Sequence, residues 1–284
     1  MSDPRTQEFL DRLTVADQGS DRFTGSCAPA WPGRAFGGQL AAQSLHAAAG
    51  TTSDHMAPWS LHLYFHAPVR SNDGIDYEVQ RVKDGRTTAS RQVRIMQDGK
   101  LRATAMALFG VPAEGPTHQY QRPETPGPES IASEERLIHP TIVPPDSDFE
   151  SLGYPAESLV DLRVVGSQPD AVSPFERKVW MRVVPPLPSD PVITAAAQCY
   201  LSDITLGTTA LEPHGGRDQT TDLQLGAVEL ALWFTAPAQL SEWTLFSQDS
   251  AFAGGGHGLA HGVFYNSDGE VSAVALQNAL MRHR

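Results

Sequence analysis

The chain has 284 residues, of which 40% are hydrophobic and 19% are charged, and its formal net charge is −12 at pH 7. This profile is typical of a globular protein with one large domain or two of ordinary size. The acidic balance and the lack of clustered Lys and Arg argue against nucleic acid as a partner. No apolar run approaches the roughly 20 residues of a membrane span, so no membrane-spanning segment is expected. The polar N-terminus predicts no signal peptide, and the isolated Cys27 and Cys199 favour the reducing cytoplasm.

Two helices and four strands are predicted first along the chain. Phe9, Leu10 and Leu13 recur at helical spacing, which predicts a helix with an apolar packing face. An alanine-rich helix is predicted over residues 38–49. The strand-like runs that follow read LHLYFHA, IDYEVQRV, TASRQVRIM and LRATAMALFG, with hairpin-type turns at Asp84-Gly85 and Asp98-Gly99.

A proline-rich linker separates this set of elements from a second one. Residues 112–155 contain nine of the 22 prolines and many acidic residues, too many prolines for a central strand. A second small-residue helix is predicted from Pro191 to about Ile204, with Asp190 as its N-cap. The strand-like runs after it read AVELALWFTA, EWTLFSQDS, HGLAHGVFYN and VSAVALQNALM.

The two sets are an approximate internal repeat. LYFHAP at 63–68 matches LWFTAP at 232–237, Asp98-Gly99 matches Asp268-Gly269, and AAQ at 41–43 matches AAQ at 196–198. The offsets are 237 − 68 = 169, 268 − 98 = 170 and 196 − 41 = 155, so about fourteen extra residues separate the last match from the others. The polar stretch 211–221 is the natural place for them. Each copy has one helix followed by a meander of strands, which predicts an α+β fold with an antiparallel sheet packed around a single helix.

Both halves contain short motifs that occur in the same order in a known family. They are Phe23-Thr24-Gly25, Ala35-Phe36-Gly37-Gly38-Gln39 and His62-Leu63-Tyr64-Phe65 in the first half, and Tyr200-Leu201-Ser202-Asp203, Ala210-Leu211-Glu212-Pro213-His214-Gly215, Leu232-Trp233-Phe234 and Leu276-Gln277-Asn278-Ala279-Leu280-Met281-Arg282 in the second. Through these motifs the chain resembles the acyl-CoA thioesterase II family over nearly its whole length outside the linker. The resemblance implies a double hotdog, with an N-terminal hotdog at 1–111, a linker at 112–155 and a C-terminal hotdog carrying the active site at 156–284. It also implies hydrolysis of fatty acyl-CoA to free fatty acid and CoA, and no cofactor is expected. No metal is expected either, because His257 and His261 have no Cys or acidic partner at ligand spacing.

Asp203 and Gln277 are the candidate catalytic residues. The family activates its hydrolytic water with an Asp, a Thr and a Gln of the second hotdog, and the resemblance puts the Asp and the Gln at these two positions. Asp203 lies on the small, apolar stripe of the second helix, near its predicted C-terminus. Burial and the negative end of the helix dipole are both expected to raise its pKa toward the range of a general base. Ala48 and Ala107 occupy the corresponding positions of the first copy, which therefore lacks both polar groups.

One member of the family's triad is absent. The family threonine falls at about Ala227, which has no hydroxyl. Thr220, Thr221 and Gln224 are nearby candidates to replace it, and the sequence does not choose between them.

The glycine-rich segment near the C-terminus is the candidate substrate-binding loop. Family members often carry Arg near His257 and His261, so these histidines, with Gly255 and Gly256, are expected to meet coenzyme A phosphates. His62 is a further substrate-binding candidate, although a histidine at this place in a strand is more often a core residue. The glycines do not complete a dinucleotide-binding fingerprint, and they predict a flexible loop.

Three functions from different classes remain open at this stage. The first is acyl-CoA hydrolysis through Asp203 and Gln277. The second is a degenerate acyl-CoA binder that has lost turnover, which the missing threonine keeps open. The third is a hotdog hydratase or dehydratase, which would pair an acid with a histidine such as His214. Analogy with other hotdog proteins also predicts a homo-oligomer.

Overall fold

The computed structural model describes residues 3–27, 29–31, 33–71, 73–131, 159–165, 175–215 and 223–283. Within these ranges the chain forms three α-helices and fourteen strands. The helices are α1 (Pro4–Leu13), α2 (Gly37–Ala49) and α3 (Pro191–Thr209). The strands of the first half are β1 (Ala16–Asp17), β2 (Arg22–Gly25), β3 (Pro29–Trp31), β4 (Arg34–Ala35), β5 (Ala57–Phe65), β6 (Ile75–Asp84), β7 (Thr88–Gln97) and β8 (Lys100–Gly110). Those of the second half are β9 (Val160–Val164), β10 (Glu176–Val183), β11 (Leu223–Phe234), β12 (Thr244–Gly254), β13 (His257–Tyr265) and β14 (Val271–His283).

The double hotdog is confirmed, and its two antiparallel sheets are joined edge to edge. In the described residues the strand order is β1-β2-β6-β7-β8-β5-β11-β14-β13-β12-β10-β9, a continuous sheet of twelve strands, with β3 and β4 forming a separate pair. The junction is the antiparallel pairing of β5 with β11, in which Leu63 lies opposite Leu230. All pairings in the sheet are antiparallel, and each half has its long helix on the inner face.

Helices α2 and α3 pack against the sheet and against each other. Helix α2 lies against β5 to β8, α3 lies against β11 to β14, and the two helices share an extensive contact. Ala41, Ala42, Ala196 and Ala197 are fully buried, which confirms that small side chains let the sheet wrap closely around the helices. Helix α1 contacts both helices and buries Phe9 and Leu13 of its predicted packing face, whereas Leu10 is partly exposed.

The start of α3 follows its sequence signals, whereas its end does not. Asp190 accepts hydrogen bonds from the amides of Val192 and Ile193 at 2.8 and 2.9 Å, and Pro191 is the first helical residue. The predicted end near Ile204 is wrong, because the helix runs five residues further, to Thr209. Part of the extra length of the second repeat is therefore a helical extension.

The first part of the predicted linker lies across the outer face of the second half's sheet. Ile131 packs with Trp180, and Trp180 donates a hydrogen bond through Nε1 to the carbonyl of Pro126 at 2.8 Å. The guanidinium of Arg163 stacks over the ring of Trp243 at 4.6 Å and donates to the carbonyl of Pro128 at 2.6 Å. The rest of the linker lies outside the described residues, so the boundaries 1–111, 112–155 and 156–284 stay a prediction. No helix in the described ranges is long and apolar enough to cross a membrane.

Candidate active site

Asp203 and Gln277 are brought together on the inner face of the second half. Asp203 projects from α3, and the side chain of Gln277 projects from β14 toward that helix and is 3% exposed. The Gln277 amide donates a short hydrogen bond through Nε2 to Asp203 Oδ1. Gln277 Oε1 is buried and has no hydrogen-bond partner among the described residues. The Asp203 carboxylate and Gln277 Oε1 can both accept hydrogen bonds, so together they can hold a water molecule.

The other oxygen of Asp203 is bound by the first half of the chain. The backbone amide of Gly38, in the first turn of α2, donates to Asp203 Oδ2 at 2.7 Å. The first amides of a helix have no partner within it and carry the positive end of its dipole. Both oxygens of the carboxylate are therefore acceptors of N–H groups from different halves.

Glycines at the start of α2 make this approach possible. A Cβ on Gly37 would lie 2.8 Å from Asp203 Oδ2, and one on Gly38 would lie 2.7 Å from the Tyr200 carbonyl oxygen. These distances are too short for any side chain, so α2 can contact α3 here only with glycine. The sequence motif contained both residues, but nothing in it indicated that they face the carboxylate of the other half.

Burial raises the pKa of Asp203 to about 6, although the hydrogen bonds from Gln277 and Gly38 act in the opposite direction. The prediction that the negative end of the α3 dipole helps to raise the pKa of Asp203 is wrong. Asp203 lies six residues before the last residue of α3, more than one turn from the end, and its nearest helix terminus is the positive end of α2. Removal from water is the dominant cause of the raised pKa.

Aromatic side chains from both halves lie near the carboxylate. The ring of Phe65 comes within 3.1 Å of the point that a Gly37 Cβ would occupy, beside Asp203 Oδ2. Phe36 and Tyr200 make an edge-to-face contact with ring centroids 5.0 Å apart. Asp203, Phe65 and Gly37 are all partly buried, so the site is not sealed completely from solvent.

Strand register confirms that alanine occupies the position of Gln277 in the first half. Gln277 lies opposite Leu230 and Ala107 lies opposite Leu61, and Leu230 and Leu61 differ by the repeat offset of 230 − 61 = 169. On the next strand the register places Ala260 beside Gln277 but Arg91 beside Ala107.

Arg91 closes the corresponding space of the first half. Its side chain is 1% exposed and donates to Thr51, to the carbonyls of Lys83 and Ser90 and to the carboxylate of Asp84. All of its N–H groups are thus used within the fold. Sequence reasoning did not single out this residue.

Ala227 lies on the inner face beside the pair, at a β-bulge. It is opposite Ala279 in the β11–β14 register, and the bulge follows it before Glu229. Ala279 lies two residues after Gln277 on β14, and the point that a Gly207 Cβ would occupy is 3.6 Å from Ala279 Cβ and 3.0 Å from Gln277 Oε1, so Ala279 and Gln277 both face α3. Ala227 is therefore one cross-strand neighbour away from Gln277 on the same face. Gln224 is exposed, and Thr220 and Thr221 lie outside the described residues.

The predicted substrate-binding residues lie away from the carboxylate, on the outer face. Gly255 and Gly256 form a tight two-residue turn with φ of 61° and 85° between β12 and β13, so the predicted loop is a short hairpin turn, and its flexibility stays a prediction. His257 bonds through Nδ1 to Asn278 at 3.0 Å, and His261 bonds through Nδ1 to Asp249 at 3.1 Å. His62 makes an edge-to-face contact with Trp233, with centroids 4.8 Å apart. The structure does not bring these three histidines to Asp203, and their role stays a prediction.

Comparison with known proteins agrees with the fold and with the two-part organisation. A family model described as the acyl-CoA thioesterase N-terminal domain matches residues 27–110, and one described as acyl-CoA thioesterase matches residues 160–280. The chain is 30% identical over 263 residues to acyl-coenzyme A thioesterase 8 of Mus musculus, covering 88% of this chain and 80% of that protein. It is 29% identical over 251 residues to acyl-CoA thioesterase 2 of Haemophilus influenzae, covering 87% of each.

A solved structure extends the agreement over the whole fold. The acyl-CoA thioesterase II TesB2 from Mycobacterium marinum superposes with a TM-score of 0.82 at 28% identity, covering 97% of this chain and 98% of that one. The sequence matches, the paired domain models and the shared double-hotdog architecture together show that the chain is an enzyme of the acyl-CoA thioesterase II family, the thioester hydrolases that the resemblance predicted.

Proposed function

We propose that this enzyme hydrolyses fatty acyl-CoA to free fatty acid and CoA through a water molecule activated by Asp203 with Gln277. The observation that carries the proposal is the position of the Asp203 carboxylate, held by Gln277 Nε2 from the second half and the Gly38 amide from the first. Its pKa of about 6 lets it accept a proton near neutral pH.

The chemistry follows from these contacts. The Asp203 carboxylate takes a proton from water as the water oxygen bonds to the thioester carbonyl carbon, and Gln277 Oε1 accepts the second water hydrogen. The tetrahedral intermediate then breaks its carbon–sulfur bond. The proton held by Asp203 passes to the leaving thiolate, which regenerates the carboxylate.

The decisive test is thiol release from acyl-CoAs of short, medium and long chain, with Asp203→Ala and Gln277→Ala as variants. We expect turnover by the wild type and a loss of about a hundredfold or more in both variants. Turnover that is indifferent to Asp203 would overturn the site. Saturable acyl-CoA binding with no thiol release at any chain length would instead favour the degenerate binder, which the absent hydroxyl at Ala227 motivates.

The hydratase alternative has less in its favour. Such an enzyme needs a histidine near the acid, whereas the hydrogen-bond partners of Asp203 in the described part of the chain are Gln277 and Gly38. His214 is exposed in the short 3-10 helix Glu212–His214, beyond the end of α3.

We also propose that the enzyme works in the cytoplasm and as a homo-oligomer. Cys27 and Cys199 are both free and buried, which suits a reducing compartment. Large apolar side chains on the outer face of the joined sheet are exposed, and such a surface favours association with a second copy. They are Tyr64, Met106, Phe252, Leu259 and Leu276. Light scattering on the purified chain tests the assembly, since a strictly monomeric mass at micromolar concentration would refute it.

A further inference from the structure

We infer that Gly207 is a positioning residue for the hydrolytic site, because its lack of a side chain gives the Gln277 carboxamide the room it needs to reach Asp203. This inference rests on the proposed role of Gln277. It assigns a function to a helix position that neither contacts the thioester nor carries a polar group.

A glycine at this position has no local structural justification. Gly207 lies inside α3, two residues before its last residue, and its φ is not positive. Glycine in a helix interior lowers stability relative to alanine, because it loses more backbone freedom on folding and adds no contacts. The helix would therefore be more stable with alanine unless another part of the fold needs the space.

The space beside Gly207 is filled by Gln277. A Cβ on Gly207 would lie 3.0 Å from Gln277 Oε1, 3.3 Å from Gln277 Cδ and 3.6 Å from Ala279 Cβ. The first two distances are tighter than normal van der Waals contact, so an alanine would push the carboxamide away from α3. Gly207 is four residues after Asp203 and thus one turn further on the same helical face.

Gln277 has little else to hold it in place. Nε2 bonds to Asp203, whereas Oε1 is buried without a hydrogen-bond partner among the described residues. A small displacement would therefore lengthen the bond to Asp203 without meeting another hydrogen bond that resists it. Helix α3 extends to Thr209, beyond the expected end at Ile204, and this extension carries Gly207 to its place against Gln277.

Gly207→Ala tests the inference, because it is expected to lower kcat without lowering the melting temperature. We expect a melting temperature equal to that of the wild type or up to about 4 °C higher. We expect kcat for acyl-CoA hydrolysis to fall about tenfold or more, with KM changed less than about twofold. The acid limb of the kcat profile is expected to move to higher pH, because the Asp203 carboxylate loses a donor. Gly74→Ala is the matched control, since a Cβ there meets nothing within 4 Å, and it is expected to behave as wild type.

A double-mutant cycle with Gln277→Ala separates this inference from the proposed function. If Gly207 acts only through Gln277, adding Gly207→Ala to Gln277→Ala leaves kcat unchanged. If Gly207→Ala keeps the wild-type kcat while Gln277→Ala is impaired, the inference is overturned and the proposed role of Gln277 stands. A further fall of kcat in the double variant has the same meaning. Wild-type kcat in Gln277→Ala overturns the role of Gln277 and this inference with it. If Gly207→Ala lowers the melting temperature, the double variant should melt at the same temperature as Gln277→Ala, because the clash with Gln277 is then absent. A lower melting temperature in the double variant also overturns the inference.

Discussion

Gly38 and Asp203 belong to different halves of the chain, and the backbone amide of Gly38 donates a 2.7 Å hydrogen bond to the carboxylate of Asp203. The acid comes from the second repeat, and one of its two N–H partners comes from the first. The first half is thus more than a scaffold that lost its own polar groups. It supplies a helix N-terminus that binds the charged form of the carboxylate.

Gly38→Ala is expected to separate the two helices. The added Cβ would lie 2.7 Å from the Tyr200 carbonyl oxygen and 2.9 Å from Asp203 Cβ, so α2 must move away from α3. We predict destabilisation of about 1 to 3 kcal/mol and a loss of about tenfold or more in kcat. Chemical denaturation and thiol release measure the two effects. Gly115→Ala, where a Cβ meets nothing within 4 Å, serves as the control, and equal behaviour of the two variants would contradict the packing argument.

Asp203→Asn is expected to stabilise the protein while it removes activity. The pKa of Asp203 is about 6 in the folded chain against an ordinary value of 3.8, so the folded state binds the proton more tightly than the unfolded state. Stability therefore falls as pH rises from about 4 through about 6, and the cost of the buried charge is complete above pH 6. At pH 7.5 the neutral amide should raise the free energy of unfolding by roughly 1 to 3 kcal/mol. The asparagine oxygen then accepts from the Gly38 amide, and Gln277 turns so that its Oε1 accepts from the asparagine NH2 group.

The check on this prediction is its pH dependence. The gain measured by urea denaturation should shrink as pH falls from 6 toward 4, because the wild-type carboxyl then becomes neutral as well. A gain of the same size at pH 4.5 and pH 7.5 would show that the charge of Asp203 is not its cause.

Ala227→Thr is expected to increase turnover. Ala227 faces the inner side of the sheet opposite Ala279, and the resemblance places the family threonine at about this position. A hydroxyl there adds a donor and an acceptor for the hydrolytic water, and such a group can change rates by up to about a hundredfold. The thiol-release assay should therefore give a higher kcat for Ala227→Thr, with Ala227→Val as the control of equal shape. An equal effect of both substitutions would assign the change to packing.

Much of this architecture could be predicted from local sequence signals. Asp98-Gly99 forms a turn with φ of 52° and 68°, conformations that favour this pair of residues, and Asp190 caps α3 as its sequence indicated. The end of α3 could not be predicted, because Gly207 and the two threonines after it have low helix propensity and packing in the fold overrides it. The pairing of β5 with β11 also lacks a local signal, since it depends on contacts between distant segments.

The candidate site could likewise be predicted only in part. The resemblance indicated Asp203 and Gln277, and the repeat offset correctly indicated that Ala107 occupies the place of Gln277 in the first half. The Gly38 amide was not predicted as a partner, because a backbone donor has no residue type that marks it. Burial of Asp203 was expected, whereas the opposing influence of a helix N-terminus from the other half was not.

The dependence of kcat on pH, measured from pH 5 to pH 9 for the wild type and for the residual activity of Asp203→Asn, tests the central claim most directly. A general base whose pKa is about 6 must be deprotonated to act, so wild-type kcat should rise through a single ionisation near pH 6 and level off above pH 7. Asp203→Asn should be at least about a hundredfold slower and should lack that ionisation. A wild-type rate that is flat across this range, or the same acid limb in the asparagine variant, would contradict the assignment of Asp203 as the base that activates water.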